Sequence, residues 1–213
     1  MIYKVIKTLT KSGITEIIIV LGGESVGDFI RLLGDGSEFN AQFSYVYQQK
    51  AGGIAEALNL TRNIAKGHKV AVILGDNIFE DNFKKEIEEF NKSKEHKCYL
   101  FLKEVEDPER FGVAELNKDG TIKSIEEKPK IPKSNYAVTG LYLYEEDIFT
   151  VIQKIIDEIG YSERGELEIT DVNNYYIKNG KVKAIFIKGF WSDAGMFDTL
   201  LKSSNFMKIF KEI

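Results

Sequence analysis

Five short segments hold the residues best suited to chemistry. In Leu74-Gly75-Asp76-Asn77 a carboxylate follows an apolar run, residues 69–74, that reads as a buried strand. Ligands of open parallel sheets bind beyond the carboxyl ends of the strands, so Asp76 stands where a ligand is met. A carboxylate there suits a divalent cation such as Mg²⁺, which takes one or two carboxylates together with phosphate oxygens. Helix capping is the competing use of such an Asp. Trp191-Ser192-Asp193-Ala194-Gly195 supplies a second carboxylate between a strand and a helix, placed to reach the same face. Gln48-Gln49-Lys50-Ala51-Gly52-Gly53 forms a strand-to-helix turn whose glycines admit close backbone approach and whose following helix offers free N–H groups. Glu126-Glu127-Lys128-Pro129 is a charged strand end that Pro129 breaks, holding Glu127 and Lys128 in place. In Arg164-Gly165-Glu166-Leu167-Glu168-Ile169-Thr170-Asp171 the arginine's planar fork matches a phosphate.

The elements that must position these residues follow from periodicity. Ile2, Val5, Ile6 and Leu9 recur at helical spacing, and Gly13 stops that helix. Strands are expected at 16–21, 42–47 and 69–74, with helices around 29–33 and over 54–64. Alternation of this kind implies right-handed crossovers and a parallel sheet. The middle differs: 113–116 and 122–126 flank Asn117-Lys118-Asp119-Gly120, a hairpin signal, and 136–144 is a third β segment of the same antiparallel patch. Helices over 147–159 and 169–178, a strand at 182–187 and a helix after Gly195 complete the chain. The expected fold class is α/β: a Rossmann-like, mostly parallel sheet flanked by helices, with a small antiparallel insertion, in a single domain over 1–213.

Composition narrows the function. The formal charge is −4 with no block of Lys or Arg, which argues against a nucleic-acid surface. The apolar run 17–21 is too short for a bilayer, and polar residues before it argue against a signal peptide. One cysteine, Cys98, cannot form an internal disulfide; it reads as a packing thiol in the strand 97–102, and a reducing cytoplasm is the default compartment. His68 and His96 are isolated and carry no metal-ligand spacing.

Taken together with Phe111-Gly112-Val113 and Tyr136-Ala137-Val138-Thr139-Gly140, these segments, in their order along the chain, resemble the glucose-1-phosphate thymidylyltransferases, sugar nucleotidyltransferases, over essentially the whole chain. The resemblance implies that a sugar-1-phosphate oxygen attacks the α-phosphate of dTTP and pyrophosphate leaves. It assigns Asp76 and Asp193 to Mg²⁺, Gln48 and Gly53 to the thymine, and Asn77, Gly112, Glu127 and Val138 to the sugar, with Lys128 and Arg164 on the sugar phosphate. It leaves open dTTP against UTP, the sugar, and the number of subunits in a homo-oligomer.

The family opens with a strand and a Gly-rich, arginine-bearing loop, and Met1-Ile2-Tyr3 matches the helix after them. That strand would lie between 16–21 and 69–74. Burying roughly four of its side chains is worth about 6–12 kcal/mol, comparable to a domain's stability of about 5–15 kcal/mol. The expectation is a fragile chain without detectable turnover on its own. A truncated enzyme, a non-catalytic sugar-phosphate-binding or regulatory relative, and one half of a split enzyme are the three readings.

Overall fold

The computed structural model describes residues 1–209; the last four residues of the expected 1–213 domain lie outside them. Helix α1, Ile2–Lys11, buries Val5, Ile6 and Leu9 on one face. It ends where expected, Gly13 taking φ +90° while Ile14 N–H returns to the Leu9 carbonyl at 3.0 Å. Strand β1, Glu16–Gly22, leads through α2, Val26–Leu33, to β2, Gln42–Gln48. The two strands pair parallel from Glu16↔Gln42 to Gly22↔Gln48. Ile17, Ile19, Leu33 and Phe43 close a small core under α1.

The expected helix over 54–64 is two helices, α3 (Ile54–Leu60) and α4 (Arg62–Ala65). Thr61 separates them, its hydroxyl donating to the Leu58 carbonyl at 2.7 Å. Such back-bonding by a β-branched residue competes with the helical ladder. Then come β3 (Val70–Ile73), the short β4 (Asn77–Phe79), α5 (Lys84–Lys92) and β5 (Cys98–Glu104). Strands β6 (Gly112–Leu116) and β7 (Ile122–Glu127) form the expected hairpin, with Gly120 at φ +84° in its turn. The chain continues through β8 (Tyr136–Tyr144), α6 (Ile148–Glu158), α7 (Ile169–Lys178), β9 (Val182–Phe186), β10 (Trp191–Asp193) and α8 (Phe197–Ile209).

The α/β class holds, and the pairing is mixed. The main sheet runs β7-β6-β8-β5-β9, with β3 also on β8. Among the described residues β1–β2 and β5–β9 are parallel, and the remaining pairs antiparallel. Strand β8 is more than the third member of an insertion: it pairs with β3, β5 and β6 and so joins the hairpin to the rest of the sheet. Its near-continuous burial suits that central place. Both faces of the sheet are covered, and β5 shows it by alternation. Cys98, Leu100 and Leu102 enter the core under α3, α6 and α7, while Tyr99 and Phe101 enter the aromatic core beneath α5 and β4. Cys98 is thus a packing residue, and burial pushes its thiol well up.

Strands β1 and β3 do not pair with each other; among the described residues each has one partner strand, β2 and β8 respectively. A cavity of about 1540 Å³ lies between them. Every residue of 16–21 and of 69–74 borders it, odd and even positions alike. Side chains of a strand alternate between faces, so a wall with both parities is a strand's open edge. No helix among the described residues is long and apolar enough to cross a membrane.

Candidate active site

The two carboxylates singled out in the sequence come together. Asp76 lies in the turn that leaves β3, where Asn77 N–H bonds the Leu74 carbonyl at 3.1 Å. Antiparallel pairing of β4 with β10 sets Asn77 opposite Asp193, and Ala194 N–H donates to the Asp76 carbonyl at 2.8 Å. A Cβ added at Gly195 would stand 3.3 Å from Asp193 Oδ2 and 3.7 Å from Asp76 Oδ2, so these oxygens flank one small space. Burial pushes the Asp193 carboxyl up; Arg110 opposes this, and the Asp76 charge adds to it. Two hard oxygens in like-charge proximity fit Mg²⁺ completed by phosphate oxygens and water. Among the described residues no group of three or more His, Cys, Asp or Glu gathers, here or elsewhere, so the protein offers a cation two carboxylates at this corner.

Asn77 is the pillar of this corner. It is 4% exposed. Its Oδ1 accepts from Gly140 N–H at 2.9 Å and Trp191 Nε1–H at 2.7 Å, while Nδ2 donates to Asp76 Oδ1 at 2.9 Å. Glycine at 140 is what lets these groups close up, because a Cβ there would come within 2.7 Å of the Leu74 side chain and 2.8 Å of the Asn77 side chain and force one of them to shift. Arg110 bridges Asp107 Oδ2 and Asp193 Oδ2, both at 2.7 Å. Its guanidinium lies over the Phe111 ring, which packs on Trp191.

A second cluster gathers at the hairpin. The β6–β7 register sets Gly112 opposite Glu127, and Thr170 Oγ1 donates to Glu127 Oε2 at 2.7 Å. Arg164 Nη2 bonds both Glu168 oxygens at 2.8 and 2.9 Å and stands 3.4 Å from Glu166 and 4.0 Å from Glu127. Lys128 is exposed at φ +45°, a conformation uncommon for a side-chain-bearing residue, and its N–H holds the Phe111 carbonyl at 2.9 Å. Val138 sits on β8 with its side chain in the main core, which leaves its main chain as the part able to meet a ligand. Buried Tyr142 ties this cluster to the first. Its hydroxyl is raised by burial, then by Glu127, Cys98 and Asp76.

The third group is the Gln48–Gly53 turn. Gly53 adopts φ +94°, and a Cβ there would lie 2.6 Å from the Leu167 carbonyl oxygen; Leu167 N–H donates to the Gly52 carbonyl at 2.7 Å. The loop bearing Arg164 is thereby fastened to the turn bearing Gln48. Gln48 Nε2 donates to Glu56 Oε2 at 2.8 Å and, more weakly, to the Gly53 carbonyl at 3.4 Å. Gln48, Gly53, Glu166 and Asp76 all border the cavity between β1 and β3, so the turn and one of the paired carboxylates share one space.

The mixed α/β sheet carries two convergent carboxylates at a strand end, a glycine turn across the cleft and, at the hairpin, Arg164 and Lys128 among the carboxylates of Glu127, Glu166 and Glu168, an arrangement of the nucleotidyl-transfer kind. The family model described as nucleotidyl transferase matches residues 1–209. Glucose-1-phosphate thymidylyltransferase of Neisseria meningitidis is 36% identical over 215 aligned residues, spanning 100% of this chain and 73% of that one. The Mycolicibacterium smegmatis enzyme of the same name is 36% identical over 98% of this chain and 71% of its own. A Bacillus anthracis protein described as a glucose-1-phosphate thymidylyltransferase, solved in complex with sucrose, superposes with a TM-score of 0.89 at 45% identity, covering 96% of this chain and 81% of that one. The chain belongs to the nucleotidyl transferase family.

All ten residues singled out in the sequence fall into these three groups. The sequence reading missed Arg110 and Glu56. Arg110 had a signal, since Asp107 three residues earlier in a Pro-started turn pairs with it. For Glu56 the signal was its place in the first turn of the helix after Gly53.

Proposed function

We propose that this chain's site is built to transfer a thymidylyl group from dTTP to glucose 1-phosphate, giving dTDP-glucose and pyrophosphate. The observation that carries it is the convergence of Asp76 and Asp193 beside a cleft whose far end is the Gln48–Gly53 turn. The relatives named glucose-1-phosphate thymidylyltransferase support this choice of substrates. Gln48 and Gly53 meet the base. Gly112, Glu127 and the Val138 main chain receive the sugar, with Asn77 backing it, and Lys128 and Arg164 face its phosphate. A phosphate oxygen of the sugar attacks the α-phosphorus as the bond to the β-phosphate breaks, with no covalent enzyme intermediate. Catalysis is then positioning together with stabilisation of charge. Mg²⁺, when bound, would supply positive charge to the phosphates, and Asp76 and Asp193 are the residues that would hold it.

Calorimetric titration with glucose 1-phosphate tests the acceptor half of the site. Heat is expected with the parent chain, and weaker binding with Glu127→Ala and Lys128→Ala. Absence of heat at millimolar ligand removes the sugar-phosphate reading. Calorimetric titration with dTTP and with UTP, which needs no turnover, decides the donor.

A further inference from the structure

The side-chain amide of Gln48 has two faces, and its neighbours fix which one points where. Both hydrogen bonds that the described residues make with it run through Nε2, to Glu56 Oε2 at 2.8 Å and the Gly53 carbonyl at 3.4 Å. A carboxylate and a carbonyl only accept. Turning the amide over would set its oxygen 2.8 Å from a carboxylate oxygen, acceptor against acceptor. Glu56 is itself held, because Tyr161 O–H donates to its other oxygen at 3.4 Å. Its carboxylate also lies against Gly52, where any side chain would collide with it. Gln48 Oε1 is therefore the face left for a ligand, and it is an acceptor.

We propose that Glu56 is a positioning residue that locks the Gln48 amide, so that the site selects a base with an N–H donor on its pairing edge, thymine or uracil, over cytosine, whose ring nitrogen at that place is an acceptor. This rests on the nucleotide role of Gln48 proposed above. An acceptor aimed at an acceptor leaves both groups without a partner in a half-enclosed site, which supports a preference of about tenfold or more. The Glu56→Gln substitution keeps the size of the side chain but replaces an obligate acceptor with an amide that gives or takes a bond. Either orientation of Gln48 then finds a partner at position 56, with the weak bond to the Gly53 carbonyl at 3.4 Å left to favour the parent one, and discrimination falls.

The experiment is calorimetric titration of the whole chain with dTMP and with dCMP, for the parent and for Glu56→Gln, with unchanged circular dichroism confirming the fold. The expected result is a preference for dTMP of about tenfold or more in the parent that shrinks to about threefold or less in the variant, mainly through gained affinity for dCMP. Glu56→Ala, which removes the partner altogether, is expected to lower the preference as well. A parent that prefers dTMP and variants that keep that preference would overturn the role of Glu56 and leave the nucleotide site standing. A parent that binds both nucleotides alike overturns the lock itself. A parent that binds neither removes the nucleotide reading of Gln48, and this inference with it.

Discussion

Replacing Asn77 by Ala is the sharpest test of how the carboxylate corner is built. The substitution removes one acceptor oxygen that serves two buried donors, Gly140 N–H at 2.9 Å and Trp191 Nε1–H at 2.7 Å. An unsatisfied buried donor costs about 1–3 kcal/mol, so the pair costs about 2–6 kcal/mol. That is a large part of an ordinary domain's stability of about 5–15 kcal/mol. Trp191 is the chain's single tryptophan, so its emission reports on the bond that is lost. Urea unfolding followed by this fluorescence is expected to show a midpoint shift of that size, with altered emission already in the folded state. A loss below about 0.5 kcal/mol with unchanged emission refutes the reasoning, since it means that these donors find other partners. Asn77→Asp sharpens the contrast. It keeps the acceptor but turns a carboxylate oxygen toward Asp76 Oδ1, where Nδ2 now donates at 2.9 Å. This variant is expected to be destabilised at neutral pH and to recover as the pH falls and the two carboxyls share a proton.

Further expectations follow from other contacts. Gly140→Ala places a methyl 2.7 Å from Leu74 and 2.8 Å from Asn77; a loss of about 1–3 kcal/mol in urea unfolding is expected, and a neutral variant would show that β8 yields there. Arg110→Met leaves Asp193 facing Asp76 without its counter-charge, at a cost of about 1–3 kcal/mol for this partly exposed pair. Millimolar MgCl₂ should then raise the melting temperature more in the variant than in the parent, and equal shifts would deny that these carboxylates share a cation. Hydrogen bonds from Lys123 and Lys133 hold the Glu115 carboxyl down at about 2, from an ordinary 4.5. Its folded-state pKa is depressed, so its contribution is complete above the ordinary value and is lost as the pH falls toward about 2. Glu115→Gln should flatten the decline of the urea midpoint across that window, and an unchanged slope would exclude the pairing.

How much of this was legible in the sequence depended on the range of the force concerned. Helix α1, strands β1 and β2 and the β6–β7 hairpin were readable because burial periodicity and turn glycines are local. The break at Thr61 was not, since it turns on one hydroxyl choosing the Leu58 carbonyl. Strand pairing was read less well. The run of β3 looks the same whether its neighbour is parallel or antiparallel, and only tertiary structure lays it antiparallel on β8. The short β4 and β10, three residues each, carry no periodicity, yet their pairing delivers Asp193 to Asp76. The candidate site residues were legible as residue types in turns and at strand ends, and their roles stay proposals. Their fasteners were not found, because Arg110 meets Asp193 across 83 positions of chain.

The inner margins of β1 and β3 have a consequence for how residues 1–213, taken by themselves, behave in solution. Two rows of peptide groups face each other across a slot walled by Ile17, Ile19, Val70 and Val72. Such margins are adhesive toward any extended polypeptide, another copy of this chain included. Association of residues 1–213 by themselves should therefore be governed by the slot more than by the formal net charge of −4. Light scattering that climbs with protein concentration, and that subsides when a lysine replaces Val20 at the margin, is the expected signature.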